Sequence, residues 1–177
     1  MALDSDLVRV AVSGAVYVGP VGTAAPTASS SALEAGFVDL GYVSADGISE
    51  NIDRSTNQIR AWQNGSLVRE VTSEGTYSVS MTFIETSEAV LELYYGTTNV
   101  AGEFSIDPTS TGGRKSFVID VVDGATVERI YIPAGEITSL GERTLASGEA
   151  VGYDVTVTSY ADAGATTVIK WFSSLEV

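Results

Sequence analysis

The chain has 177 residues, 44% of them apolar, enough for one ordinary domain with its own core rather than a disordered acidic tail. It holds no cysteine and no histidine, so disulfides, thiolate metal sites and the usual neutral-pH general base are all missing. The formal charge is −14, from 23 acidic and 9 basic residues; 11 of the acids precede residue 90 and 12 follow it, a global bias that opposes tight binding of phosphate backbones.

The start, Met1 to Asp6, carries acids where a secretory signal needs bases. No apolar run approaches the roughly 20 residues of a membrane span. Neither export nor membrane insertion is therefore expected. Val, Thr and Tyr dominate the ordered stretches, which favours strands over helices. A first strand is expected over Val8–Val12 and a second over Ala15–Val18, separated by Ser13-Gly14.

Residues 19–36 are almost entirely Gly, Pro, Ala, Ser and Thr, and read as a long surface loop with one turn of helix over Ser31–Ala35. Phe37–Val43 resumes a strand pattern. The polar stretch 45–58 then reads as a second projecting loop or hairpin arm. Asn64-Gly65, set between Gln58–Trp62 and Leu67–Val71, takes the positive φ angles of a type I′ turn and marks a hairpin.

Tyr77, Val79, Met81 and Phe83 alternate with Ser78, Ser80 and Thr82, so one face is buried and the other, uniformly small and polar, meets water or a partner. Ser87 is placed as the N-cap of a two-turn helix over Glu88–Tyr95, ended by Gly96. Further strands are expected at Gly102–Ile106, Ser116–Val122, Val127–Ile132, Gly152–Ser159 and Thr166–Phe172, with turns at Asp107-Pro108, Gly112-Gly113, Asp123-Gly124 and Ala163-Gly164. The expected fold is mainly β: a β-sandwich or small barrel of antiparallel strands with one short flanking α-helix, built as a single domain over 1–177.

Chemical motifs are weak. Thr111–Ser116 has a phosphate-loop flavour, but Pro108 and Arg114 occupy the positions of that motif's two glycines. Asp120 and Asp123-Gly124 hint at calcium without the alternating oxygen ligands of a binding loop. Asn64-Gly65-Ser66 matches a glycosylation sequon that the hairpin already explains. Trp62 and Trp171 read as core or interface anchors rather than a ligand platform. The chain is thus expected to be no enzyme and to use no cofactor and no metal.

The segments Gly36–Gly47, Ile59–Gly65 and Glu85–Leu91, in this order, resemble those of the major tail tube proteins of siphoviruses infecting actinobacteria. The resemblance runs from about Val8 to Tyr160. It implies a β-sandwich with one flanking helix that forms hexameric rings, whose inner sheets join as a continuous lumen barrel. Stacked rings would make the conduit for genome ejection in a virion tail assembled in the host cytoplasm. The implied partners are the chain itself, the tape-measure, tail tip and tail terminator proteins, and double-stranded DNA passing through without tight binding.

On this reading Glu50, Asn51, Ile52, Asp53, Arg54 and Ser55 are contact candidates between subunits or rings, and Trp62 anchors the base of their arm. Asp120 and Asp154, opposite in parity to apolar strand neighbours, are candidates for lumen charge, though both would fit outer solvent equally well. A carbohydrate-binding or adhesin sandwich shares the same strands and acidity, as does another phage structural protein such as a tail terminator or capsid decoration protein.

Overall fold

A computed structural model describes Leu3 and residues 7–176; the acidic start at Asp4 and Asp6 lies outside them. The chain is mainly β, with eight strands and one helix among the described residues. The strands are β1 (Ser13–Pro20), β2 (Val38–Asp39), β3 (Val43–Arg60), β4 (Leu67–Phe83), β5 (Lys115–Asp123), β6 (Thr126–Leu140), β7 (Tyr153–Ser159) and β8 (Ile169–Phe172). Helix α1 spans Glu88–Tyr95, and a 3-10 turn covers Ser173–Leu175.

All pairings are antiparallel and belong to one sheet of order β2-β1-β5-β6-β7-β4-β3, with β8 added beside β6. Strand β6 is the seam. Its first part pairs with β5 on one side and β8 on the other, and its last part pairs with β7. The change occurs at Pro133-Ala134-Gly135, where a Cβ on Gly135 would lie 2.7 Å from Val157 Cγ1 and 2.9 Å from Phe117 Cδ2. Proline cannot donate to the ladder and glycine lets side chains from both halves close over the bend.

The inward residues of β1, β4, β5, β6 and β7 meet in a single apolar cluster with α1. Tyr153, Phe83 and Phe117 are its largest fully or almost fully buried side chains. Ser87 caps α1 by accepting from the Val90 N–H, and Gly96 ends it at φ 63°. The helix buries Val90, Leu93 and Tyr94. Tyr94 then packs edge-on against Tyr153 at 5.3 Å between ring centroids.

Several expected elements fall differently. Val8–Val12 is not a strand: Val8, Val10 and Val12 are 72%, 62% and 70% exposed, and only single hydrogen bonds from Val10 and Val12 tie the segment to β5. The intended strand over 37–43 is split, because Gly41 at φ 76° turns the chain between β2 and β3. Gly102–Ile106 forms no strand, only a bridge between Val100 and Glu103 closed by a turn in which Ala101 and Gly102 have positive φ.

Residues 20–36 do not project and contain no helical turn over Ser31–Ala35. They lie as a strap over the outer face of β5 and β6, where Arg129 donates from Nη1 to the carbonyls of Ala28 (3.2 Å) and Ser31 (2.6 Å). The Tyr131 hydroxyl donates to Thr23, and Ser29, 1% exposed, donates to the Glu176 carboxylate from both N–H and Oγ. A small-residue segment too poor in apolar groups to bury itself is held by polar bonds to its carbonyls instead.

Candidate functional site

Strands β3 and β4 continue far beyond the body as a two-stranded arm. From Ser49 through Thr76 every residue except the half-buried Ala61 is exposed. The pairing persists regardless, from Ser49↔Ser80 at the body to Arg60↔Leu67 at the far end, with two irregularities where Ser73 and Val68 enter β4 as extra residues. The far end turns at Gln63–Ser66, with Asn64 and Gly65 at φ 57° and 63°, both central residues left-handed as a type I′ turn requires. The polar stretch 45–58 and the predicted hairpin are thus one element.

Glu50, Asn51, Ile52, Asp53, Arg54 and Ser55 all lie on the exposed part of β3. Glu50 is engaged within its own chain: Lys170 Nζ lies 2.5 Å from its Oε2 and 3.1 Å from Glu128 Oε1, which ties β3 to β8 and β6. This ion pair, not Trp62, fastens the arm near its root. Trp62 stands next to the turn, 97% exposed, because the hairpin register carries it to the far end of the arm. Beneath Glu50, burial pushes the phenol of Tyr77 well above its ordinary value, and the Glu50 charge adds to the shift.

The second surface is the outward face of β4 and β7. Ser78, Ser80 and Thr82 lie directly opposite Thr158, Thr156 and Asp154. The Ser80 and Thr156 hydroxyls are 2.9 Å apart, and those of Thr138 and Thr158 are 2.7 Å apart. A ladder of small hydroxyl groups contributes nothing to the core, so its uniformity asks for another role. Asp154 is exposed on this face.

Asp120 is elsewhere and is not a free charge. Its two carboxylate oxygens accept from Arg129 Nε at 2.6 Å and Nη2 at 2.7 Å, a two-point pair whose side chains are 14% and 7% exposed. The pair keeps the Arg129 guanidinium firmly charged, its hydrogen bonds to Asp120 outweighing the cost of burial. Paired with Arg129 under the strap, Asp120 is not a free carboxylate of the folded chain. Among the described residues no group of three or more acids could hold a metal ion.

The remaining motifs have structural uses. Gly112 packs back to back with Gly96 at the end of α1, where a Cβ on Gly112 would lie 2.9 Å from the Gly96 Cα. Asp123-Gly124 opens the tight turn between β5 and β6. No helix among the described residues is long and apolar enough to cross a membrane.

An exposed arm and a hydroxyl face describe a part made to touch copies or partners. A family model described as phage tail tube protein matches residues 1–175. The chain belongs to the phage tail tube protein family. It is therefore a structural component of a phage tail. This tail tube protein shares its fold with the cap of the anti-feeding prophage, at 13% identity and a TM-score of 0.51, over 98% of this chain and 100% of that one. It is also similar to the sheath/tube terminator of an extracellular contractile injection system, PVC, in its extended state, at 12% identity and a TM-score of 0.50, over 94% and 99% of the two chains. No protein of curated function matches the sequence significantly.

Proposed function

We propose that this chain is the major subunit of a siphovirus-type tail tube, closing into six-membered rings that stack into the conduit for genome ejection. The observation that carries the reading is the arm: 28 residues, 49–76, none buried and all but Ala61 exposed, held in register by strand pairing alone, which a lone subunit has no use for. Six is the number implied by the resemblance to actinobacteriophage tube proteins. Tape-measure, tail tip and terminator proteins are the partners of such a tube, and assembly takes place in the host cytoplasm. The chain works as one unit, catalyses nothing and needs no cofactor.

On this reading the arm, with Asn51–Ser55 along β3 and Trp62 near its end, reaches across to a neighbouring ring. The hydroxyl face of β4 and β7 lines the lumen, with Asp154 as its charge. Small uncharged hydroxyls with occasional carboxylates give a polyanionic duplex nothing to bind, so the genome slides. Repulsion acts only within the screening length, roughly 8 to 10 Å at physiological salt, so wall residues dominate.

Negative-stain electron microscopy of the purified protein tests the assembly. Long hollow tubes are expected; single rings that never lengthen would assign a terminator-like role, and monomers at all concentrations would refute the proposal. Replacing residues 56–73 by Asn-Gly, so that Ser55 and Glu74 close a two-residue turn, should leave a folded body that forms no tubes. In assembled particles, Asp154→Lys should slow ejection more at low salt than at high; unchanged ejection across salt would remove Asp154 from the wall.

A further inference from the structure

The charge of this chain is not evenly shared. Residues 54–69, the outer part of the arm, hold Arg54, Arg60 and Arg69 and no acidic residue. The other 161 residues hold 23 acids against six bases, a net charge of −17. Of these six bases three are in ion pairs: Arg129 with Asp120, Lys170 with Glu50 and Glu128, Arg114 with Glu136. None of the three arm arginines takes part in an ion pair among the described residues.

The same stretch is also apolar on its surface. Trp62 is 97% exposed, Val68 65%, Ile59 50% and Leu67 49%. The pairing sets Ile59 directly opposite Arg69 and Arg60 opposite Leu67, so each face of the hairpin presents an apolar group beside a guanidinium. Arg60 is held in place by donating to the Gly65 carbonyl and the Gln58 Oε1. Guanidinium beside tryptophan and aliphatic groups is the composition of an interface centre rather than of a solvated turn.

We infer that residues 54–69 form a cationic, apolar plug that docks on the acidic body of a second copy of this chain, and that this contact offsets the like-charge repulsion between subunits of net charge −14. The inference rests on the tube reading and names the chemistry of its arm contact. Charge complementarity selects the partner: the plug is the one acid-free arginine cluster, and the body of every other copy is strongly acidic. Duplex DNA is the alternative polyanion. Three arginines give few phosphate contacts, and the −17 carried by the rest of the chain repels the duplex they would bind.

The test uses the purified full chain, so that a second copy is the only protein present. Sedimentation velocity and micrographs are taken over a range of protein and salt concentrations, with labelled duplex DNA added in a parallel series. Wild-type tubes should need more protein as salt rises. Arg54→Glu with Arg60→Glu and Arg69→Glu should keep the wild-type melting temperature, because these side chains are exposed, and raise the concentration needed for assembly by about tenfold or more. Lysine at the same three positions should restore tubes, and Trp62→Ala should weaken assembly without changing its salt dependence. If wild-type and triple-Glu chains form tubes equally well, the plug is wrong and the tube reading stands. A wild-type chain that stays monomeric overturns both. Arginine-dependent capture of the duplex would assign the plug to DNA and overturn the inference.

Discussion

Strand β4 is two different objects joined end to end. From Tyr77 to Phe83 its residues alternate between buried and half-buried, with Val79 0% and Phe83 1% exposed; from Leu67 to Thr76 none is buried. Backbone pairing to β3 continues through both. Hydrogen bonding therefore does not distinguish the body from the arm; what differs is whether a side chain finds apolar neighbours. The inner half is fixed by area removed from water, the outer half by turn chemistry and cross-strand pairs, each of which contributes a few tenths to about 1 kcal/mol. Substitutions should accordingly divide into those read by a melting curve and those read only by assembly.

The largest expected contrast is between Phe83→Ala and Trp62→Ala. Phe83→Ala should cost about 3–5 kcal/mol by calorimetry, since the ring is enclosed and leaves a cavity. Trp62→Ala, at 97% exposure, should shift the melting temperature little and act on assembly alone. Equal losses of thermal stability from the two would erase the distinction between the halves.

A comparable loss, about 3–5 kcal/mol, is expected from Asp120→Ala, which strands the Arg129 charge under the strap. The double change Asp120→Ala with Arg129→Met should recover much of that stability while leaving 20–36 open to proteolysis, because Arg129 also holds the strap's carbonyls. Next in size is Gly135→Ala, expected to cost about 1–3 kcal/mol by crowding Val157 and Phe117 at the seam. Loss of the helix cap in Ser87→Ala should cost about 1 kcal/mol.

The smallest effect is on the alkaline side. The phenols of Tyr17, Tyr77 and Tyr94 are all raised, chiefly by burial. The folded state holds these protons when the unfolded chain has released them, so stability is undiminished below about pH 10 and falls above it. Tyr77→Phe should flatten that fall in urea titrations taken at successive pH values, while an arm residue such as Arg54→Ala leaves its slope unchanged.

Much of this division is legible in the residues. Alternation over Tyr77–Phe83 marks the buried face, Ser87 and Gly96 mark both ends of α1, and Asn64-Gly65 marks the turn of the arm. The extent of the arm is not legible, because polar residues that pair as strands look like loop when no burial imposes a period of two. Val8–Val12 errs the other way: it alternates, but β5, which pairs with β1 from Ser13 onward, ends at Asp123 and leaves the segment no partner strand to run along. The strap over 20–36 is invisible from its own composition, since what holds it, Arg129 with Tyr131 and Glu176, lies about a hundred residues or more away. That arginine could have been found. A tight turn after Asp123 pairs Asp123 with Thr126 and so sets Asp120 opposite Arg129, an arithmetic that makes Asp120 half of an ion pair rather than a free charge. Lys170 offered no comparable signal, because its partners come from two other elements.

The pairing order of the sheet also sets a timetable. The arm is a local hairpin whose strands are joined by the six residues 61–66, and such hairpins close in about 1–10 μs. The body closes only when Ser13 meets Val122 and Phe83 meets Tyr153, and sheets dominated by such distant pairings take milliseconds to seconds. For nearly all of that interval a newly made chain displays its exposed tryptophan and arginines on a finished hairpin attached to an unfinished domain. Refolding yield should therefore fall steeply as concentration rises, and fall less for a chain with the arm shortened, because adhesion is complete before shape is.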